Sequence, residues 1–217
     1  MLEQMLKILP ELGPGLLVTL ELTLAAALLS FSVGHIVWWL RQRQAWLPSR
    51  LGRLYISLMR GTPSIVQLFL VFFSLPLLGL GGKPLLAAVL ALGLNSAAYT
   101  AEILRGSYRN LASGQTEASL ALGLSRLQCW RHVLAPQALR SSLPALVNEF
   151  TLIVKTTPLA SVIAVTELTY AGQLIIARTY EAGPVMLPVV ADYLLVCWPI
   201  LLLARRLEGR FATARNP

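Results

Sequence analysis

LLVTLELTLAAALLSFSVGHIVWWL, residues 16–40, is a run of 25 residues interrupted only by Glu21, His35 and small polar side chains. As a helix rising about 1.5 Å per residue it is longer than a hydrocarbon core of about 30 Å, so it predicts a membrane-spanning helix. It is too long for the core of a signal peptide. The preceding Met1 to Gly15 carry Glu3 and Glu11 with Lys7 as the one cation, the wrong charge for a secretory leader, and the segment is expected to be retained. The whole chain shares this character: 56% of its 217 residues are hydrophobic and 13% charged, with mean hydropathy +0.66. Soluble domains carry about 25% charged residues, so a water-soluble enzyme is excluded as the first reading.

Working outward, four further apolar stretches predict spans over about 64–80, 85–104, 143–165 and 185–204. The prediction is an all-α, polytopic membrane protein of five helices, a single transmembrane domain over residues 1–217. Fourteen of the 18 Lys and Arg fall after the first, third and fifth spans. That asymmetry places the amino terminus outside and the carboxyl terminus in the cytoplasm. The net charge of +8 is then topological, a matter of the lipid bilayer and its anionic headgroups, and no nucleic-acid partner is expected. Cys129 lies in a basic loop and Cys197 inside an apolar run, so no disulfide between them is expected.

Residues 105–140 form a segment far longer than a turn between adjacent helices needs, so structure of its own is expected there. Ser113 is placed to cap a short helix beginning near Gln115, and Gly123 suits its left-handed end. Ser125 with Gln128 is a capping box for a second short helix expected to stop before Pro136. The leucines and Trp130 of this segment either pack under the transmembrane bundle or dock a soluble partner. A DNA-reading helix-turn-helix is disfavoured, because its second helix would be tethered between spans.

Gly114-Gln115-Thr116-Glu117-Ala118-Ser119, with Gly123, Val133 and Pro136, resembles the cytoplasmic EAA loop of ABC importer membrane subunits. The family pattern is Glu-Ala-Ala, three residues, Gly, nine residues, then Ile-x-Leu-Pro. Here Gly and Pro keep their offsets, while Ser119, Val133 and Ala135 are conservative replacements. Arg60-Gly61-Thr62-Pro63 with Gln67, and Asn95 through Glu102, are similar to the polar amino acid branch of these permeases. Asn148-Glu149 and Lys155-Thr156-Thr157-Pro158-Leu159-Ala160-Ser161 look closest to arginine, histidine and opine permeases, although that family usually has Ser where Pro158 stands.

The resemblance implies a type I importer of the bacterial inner membrane, carrying polar amino acids, with basic ones such as arginine or histidine as candidates, by ATP-driven alternating access. Its partners would be a cytoplasmic ATPase dimer, a second permease subunit and an external amino acid binding protein. Gly114, Gln115, Glu117, Ala118, Ser119, Gly123 and Pro136 would then be the ATPase-coupling residues. ATP and magnesium would belong to the ATPase. This chain has no G-x-x-x-x-G-K-[ST] phosphate loop, since Gly82-Lys83 is followed by Pro84, and its two histidines have no metal-ligand spacing. No enzymatic activity, metal or cofactor is expected of it.

A charge at the bilayer centre costs about 2.5–3.5 kcal/mol on insertion scales, so Glu149, Lys155 and Asp192 are expected to face the bundle interior, a wet path or each other. Asn148, Glu149, Thr151, Lys155, Thr156 and Asp192 are the candidate path residues, with a structural ion pair or dimer contact as the alternative. Pro158 should break the fourth helix, and Arg60-Gly61-Thr62-Pro63 marks the start of the second, either as a gate or as a topological signal. Gly172, Gln173 and Arg178 are placed in an external loop. An ion-driven transporter and a membrane assembly protein are the rival functions; neither accounts for the Glu-Ala-Ser, Gly, Pro spacing.

Overall fold

The computed structural model describes residues 2–42, 45–111 and 113–212. Its long helices are α1 (Leu2–Gln42), α4 (Pro84–Arg109), α7 (Ala135–Thr156) and α9 (Ala182–Ala212). Between them lie α2 (Trp46–Gly61), α3 (Ser64–Ser74), α5 (Ser113–Ala121), α6 (Arg126–Cys129) and α8 (Leu168–Thr179). Among the described residues there is no strand.

Four helices are long and apolar enough to cross a membrane, and a bent pair makes a fifth. The expected span at 64–80 falls on the second arm of that pair. α3 has 11 residues and the 3-10 turn after it, Leu75–Leu78, has 4; together they reach about 25 Å, short of a hydrocarbon core of about 30 Å. α2 precedes α3 and meets it at 109°, so α2 turns away from that crossing and does not lengthen it. An apolar-length criterion misses α2 because arginines interrupt its leucines, and the left-handed Gly79 then closes the 3-10 turn.

Small residues let α1 and α4 approach closely, the device of membrane interfaces where hydrophobic transfer offers no drive between helices. A Cβ on Gly34 would lie 2.6 Å from Thr100 Cγ2, and one on Gly93 would lie 2.8 Å from Leu29 Cδ2. Ala87, Ala88 and Ala91 of α4 are buried with Leu22 and Ala26 of α1, and α3 and α7 add Leu68 and Ile153. A second cluster packs Ile8 and Leu12 of α1 on α8 and α9 through Leu168, Ile175, Val185 and Val189. Gly172 therefore lies in a helix, against Val189, and not in a loop.

The second loop helix does not stop before Pro136. The backbone widens into a π turn over Trp130–Leu134, where the Ala135 N–H reaches back to the Trp130 carbonyl, and Pro136, with no N–H to donate, follows directly. Helix is nearly continuous from Arg126 to Ile163, so the segment 105–140 is shorter as a loop than expected and the fourth span begins earlier than 143. At its far end Pro158 acts as expected: α7 ends at Thr156 and tightens into a 3-10 helix, Thr157–Ile163, closed by Ala164 at φ +60°.

Candidate functional site

The loop helix α5 ends in a Schellman motif. Leu124 N–H donates to the Ser119 carbonyl at 3.1 Å and Gly123 N–H to the Leu120 carbonyl at 3.0 Å, with Gly123 at φ +80°, a conformation that excludes most side chains. Ser125 and Gln128 form the expected capping box: Gln128 N–H donates to Ser125 Oγ and Ser125 N–H to Gln128 Oε1. α5 starts at Ser113, earlier than expected, and the Ser113 side chain lies outside the described residues. Gly114, Gln115, Glu117, Ala118 and Pro136 are exposed, and Ser119 is buried with its hydroxyl bonded to the Gln115 carbonyl. Leu122 is 83% and Leu127 72% exposed. These leucines do not pack under the bundle, so this end offers an apolar surface with a carboxylate, Glu117, beside it.

α7 divides the expected path residues between two faces. Glu149 and Thr151 point inward, and Asp192 of α9 is also buried. Glu149 Oε1 accepts from Ser96 Oγ at 2.7 Å, Ser96 accepts from Ser30 at 3.0 Å, and Ser30 meets Thr100 at 2.9 Å. With the Ser30 proton committed to Ser96, Thr100 donates to Ser30, and the four side chains form one directed chain joining α1, α4 and α7. Thr151 bonds the Val147 carbonyl and half-buried Thr156 the Ile153 carbonyl, both within their own helix. Lys155 does not face the interior of this chain: it is exposed, as are Ala145, Asn148 and Leu152. Those four positions span an arc of about 80° on a helix, so Asn148 and Lys155 share an outer face. Glu149 does not meet Lys155, which lies about 120° around the helix.

Arg60-Gly61-Thr62-Pro63 is the elbow between α2 and α3. Gly61 ends α2, and Thr62 and Pro63 are extended. Gln67 Nε2 donates to the Met59 carbonyl at 2.8 Å and to Thr62 Oγ1 at 2.7 Å, and Asn95 Nδ2 donates to the Met59 carbonyl and to Gln67 Oε1. Two amides from α3 and α4 thus satisfy backbone acceptors that the bend releases.

Sequence reasoning gave two carboxylates no role of their own. Glu102 gathers Arg41, Arg105 and, at 4.0 Å, Arg60. Glu167, fully buried, caps α8: Oε1 accepts from Tyr170 N–H at 2.8 Å, Oε2 from Thr169 N–H at 3.0 Å and from Tyr193 O–H at 2.7 Å. The arginine end was legible as a charge cluster, and Glu102 was visible within it; the Glu167 cap carried an acidic N-terminal signal before an apolar helix. Arg178, assigned to a loop, closes α8 and pairs with Glu11 of α1. His35 and His132 each bond a carbonyl four residues back, and no group of three metal-ligating side chains gathers among the described residues.

Residues 36–213 match the family described as binding-protein-dependent transport system inner membrane component. The chain is 37% identical over 204 residues to the glutamine transport system permease protein GlnP of Escherichia coli (strain K12), covering 93% of each. It is 35% identical over 209 residues to the nopaline transport system permease protein NocM of Agrobacterium fabrum, covering 90% of this chain and 87% of that one. Among solved structures, an amino acid ABC transporter with histidines is similar at a TM-score of 0.89, with 32% identity and coverage of 95% and 96%. The MetNI methionine ABC transporter shares the fold at a TM-score of 0.77 and 22% identity.

Proposed function

The chain belongs to the family of inner membrane components of binding-protein-dependent transport systems, and on that premise we propose that it is the permease subunit of an ATP-driven importer of polar amino acids. It is a multi-pass transport component and not an enzyme. Relatives named for glutamine, nopaline and octopine support a substrate with an amino acid backbone and a polar side chain, and basic amino acids such as arginine and histidine fall in that class.

The observation that carries the reading is the outer face of α7. A helix face bearing Asn148 and Lys155 is costly against lipid tails, and it is relieved by a water-filled path shared with a second permease subunit, identical or related. Glu149 and Asp192 lie behind that face, where a carboxylate favours the ammonium group of a substrate. α5, held by its glycine cap and exposing Leu122 beside Glu117, is suited to a groove in a cytoplasmic ATPase. The nucleotide and magnesium belong to that ATPase. On this orientation the arginine-rich ends of α1, α4 and α9 face the cytoplasm and Glu11 and Arg178 face an external binding protein.

ATP binding would close the paired ATPases, α5 would move with them, and the joined helix from Arg126 to Ile163 would carry that motion to the path. Reconstitution in proteoliposomes with its ATPase and binding protein tests this: uptake of labelled glutamine, arginine or histidine should require internal or external ATP on the ATPase side. Uptake that persists without ATP under an imposed proton gradient would overturn it in favour of ion-driven transport.

A further inference from the structure

At the arginine-rich end, α1, α2 and α4 surround an open cavity of about 320 Å³. Its wall includes four guanidinium side chains, Arg41, Arg53, Arg105 and Arg109, together with Ser49 and Trp38. One carboxylate stands close by, and it is already engaged: Glu102 pairs with Arg41 and Arg105. Arg53 and Arg109 have no carboxylate partner among the described residues. Trp38 contributes its ring to the wall, with its indole Nε1–H buried away from the open space. Four guanidinium groups around one cavity suit an oxygen-rich anion, and a phosphate group takes guanidinium forks two at a time.

The depth of the cavity is set by α2. Leu47, Leu51, Leu54 and Leu58, each more than half exposed, recur at helical spacing on one side of it, and the helix lies across the direction of α3 at 109°. Arg50 and Arg53 flank that stripe, with the Arg50 guanidinium 4.3 Å over the Trp46 ring. A helix with an outward leucine stripe, a tryptophan and arginines lies in the membrane interface. The cavity beside it therefore opens at headgroup level.

We propose that this cavity binds the phosphate headgroup of an anionic phospholipid. Inorganic phosphate offers the same oxygens but gains nothing from the leucine stripe at the mouth. Trp38 also stacks on Trp130, the first residue of the π turn, with centroids 6.2 Å apart. A bound headgroup thus braces the segment that joins the loop helices to α7.

The test uses the full chain with whatever subunits accompany it from native membranes, placed in nanodiscs of phosphatidylcholine with or without phosphatidylglycerol and read by native mass spectrometry. The unaltered protein should retain phosphatidylglycerol in preference to phosphatidylcholine. R53Q/R109Q should reduce that retention by about tenfold or more, the scale of losing charge-assisted hydrogen bonds. R205Q/R206Q should leave it unchanged. Equal retention of the two lipids, or full retention by R53Q/R109Q, would overturn the proposal. So would stabilisation of the lipid-free protein by inorganic phosphate without any retention of phosphatidylglycerol.

Discussion

Ser96 Oγ lies 2.7 Å from Glu149 Oε1 and is the carboxylate's hydrogen-bond donor at the meeting of α4 and α7. Without that hydroxyl, a carboxylate only 8% exposed would face the small-residue interface of α1 and α4 with its acceptor unmet. Ser96→Ala should therefore destabilise the protein by about 1–3 kcal/mol, seen as a lower midpoint of thermal unfolding in detergent. Glu149→Gln keeps an oxygen for Ser96 and should cost less. If Glu149 serves transport as proposed, that conservative change should nonetheless depress uptake of a cationic amino acid more than of a neutral one.

Gly123 and Gly114 separate conformation from space. A Cβ would meet nothing within 4 Å at either, but only Gly123 has positive φ. Gly123→Ala should strain the end of α5 by about 1–2 kcal/mol and lower substrate-stimulated ATP hydrolysis in the reconstituted complex. Gly114→Ala, in a helical conformation, adds no such strain, so a loss of hydrolysis in that variant would report contact with the ATPase and not the cap. Equal behaviour of the two variants would remove the Schellman cap from the coupling role.

The signals that survived folding were the local ones. Gly123, the Ser125 and Gln128 box and Pro158 each act through bonds within a few residues, so the sequence alone carries them. α2 was missed because a search for long apolar runs is blind to a helix that alternates leucine with arginine, though its 4, 3, 4 leucine spacing was present. Pro136 misled because a proline ends a regular α-helix, whereas a π turn that closes two residues earlier lets the helix continue. For Lys155, cost alone allowed the bundle interior, a wet path or another charge; it demands a polar neighbour and does not say whether this subunit supplies it. The roles of Glu102 and Glu167 depend on side chains far along the chain, Arg41 in one case and Tyr193 in the other.

Glu167 receives three hydrogen bonds and is 0% exposed. Glu167→Ala removes a helix cap and the charged acceptor of the Tyr193 hydroxyl, which keeps only the Thr169 hydroxyl at 3.0 Å and the Thr157 hydroxyl at 3.4 Å, so it should cost about 2 kcal/mol or more. Tyr193→Phe should cost about 1 kcal/mol, because the cap to Thr169 and Tyr170 remains. Hydrogen exchange at the first turn of α8 distinguishes them: it should accelerate in Glu167→Ala and stay near normal in Tyr193→Phe.

Gln67 and Asn95 hold the elbow through the Met59 carbonyl. Gln67→Leu keeps the volume but leaves the Met59 carbonyl to Asn95 alone, takes the amide donor from Thr62 Oγ1 and takes the Gln67 Oε1 acceptor from Asn95, an expected loss of about 1–3 kcal/mol. Because the bend itself positions α2, the loss should appear as faster exchange of backbone amides in α2 and α3, with α8 unaffected. Uniform acceleration across the protein would show instead that the elbow is part of the global unfolding unit.

Lys155 decides what the outer face of α7 meets. Leu70 and Phe73 of α3 are 68% and 67% exposed and α3 carries no charged residue, so cysteines there should react slowly with a charged, membrane-impermeant maleimide. A thiol reacts as its thiolate, which needs water. If Asn148 and Lys155 line a wet path between two subunits, Asn148→Cys and Lys155→Cys should react at least tenfold faster than Leu70→Cys, and transported amino acid should slow both. Slow reaction at both positions in the assembled complex, with normal reactivity in the isolated chain, would mean that the face is a dry contact with the second subunit, and the path would then have to run along Glu149 and Asp192 alone.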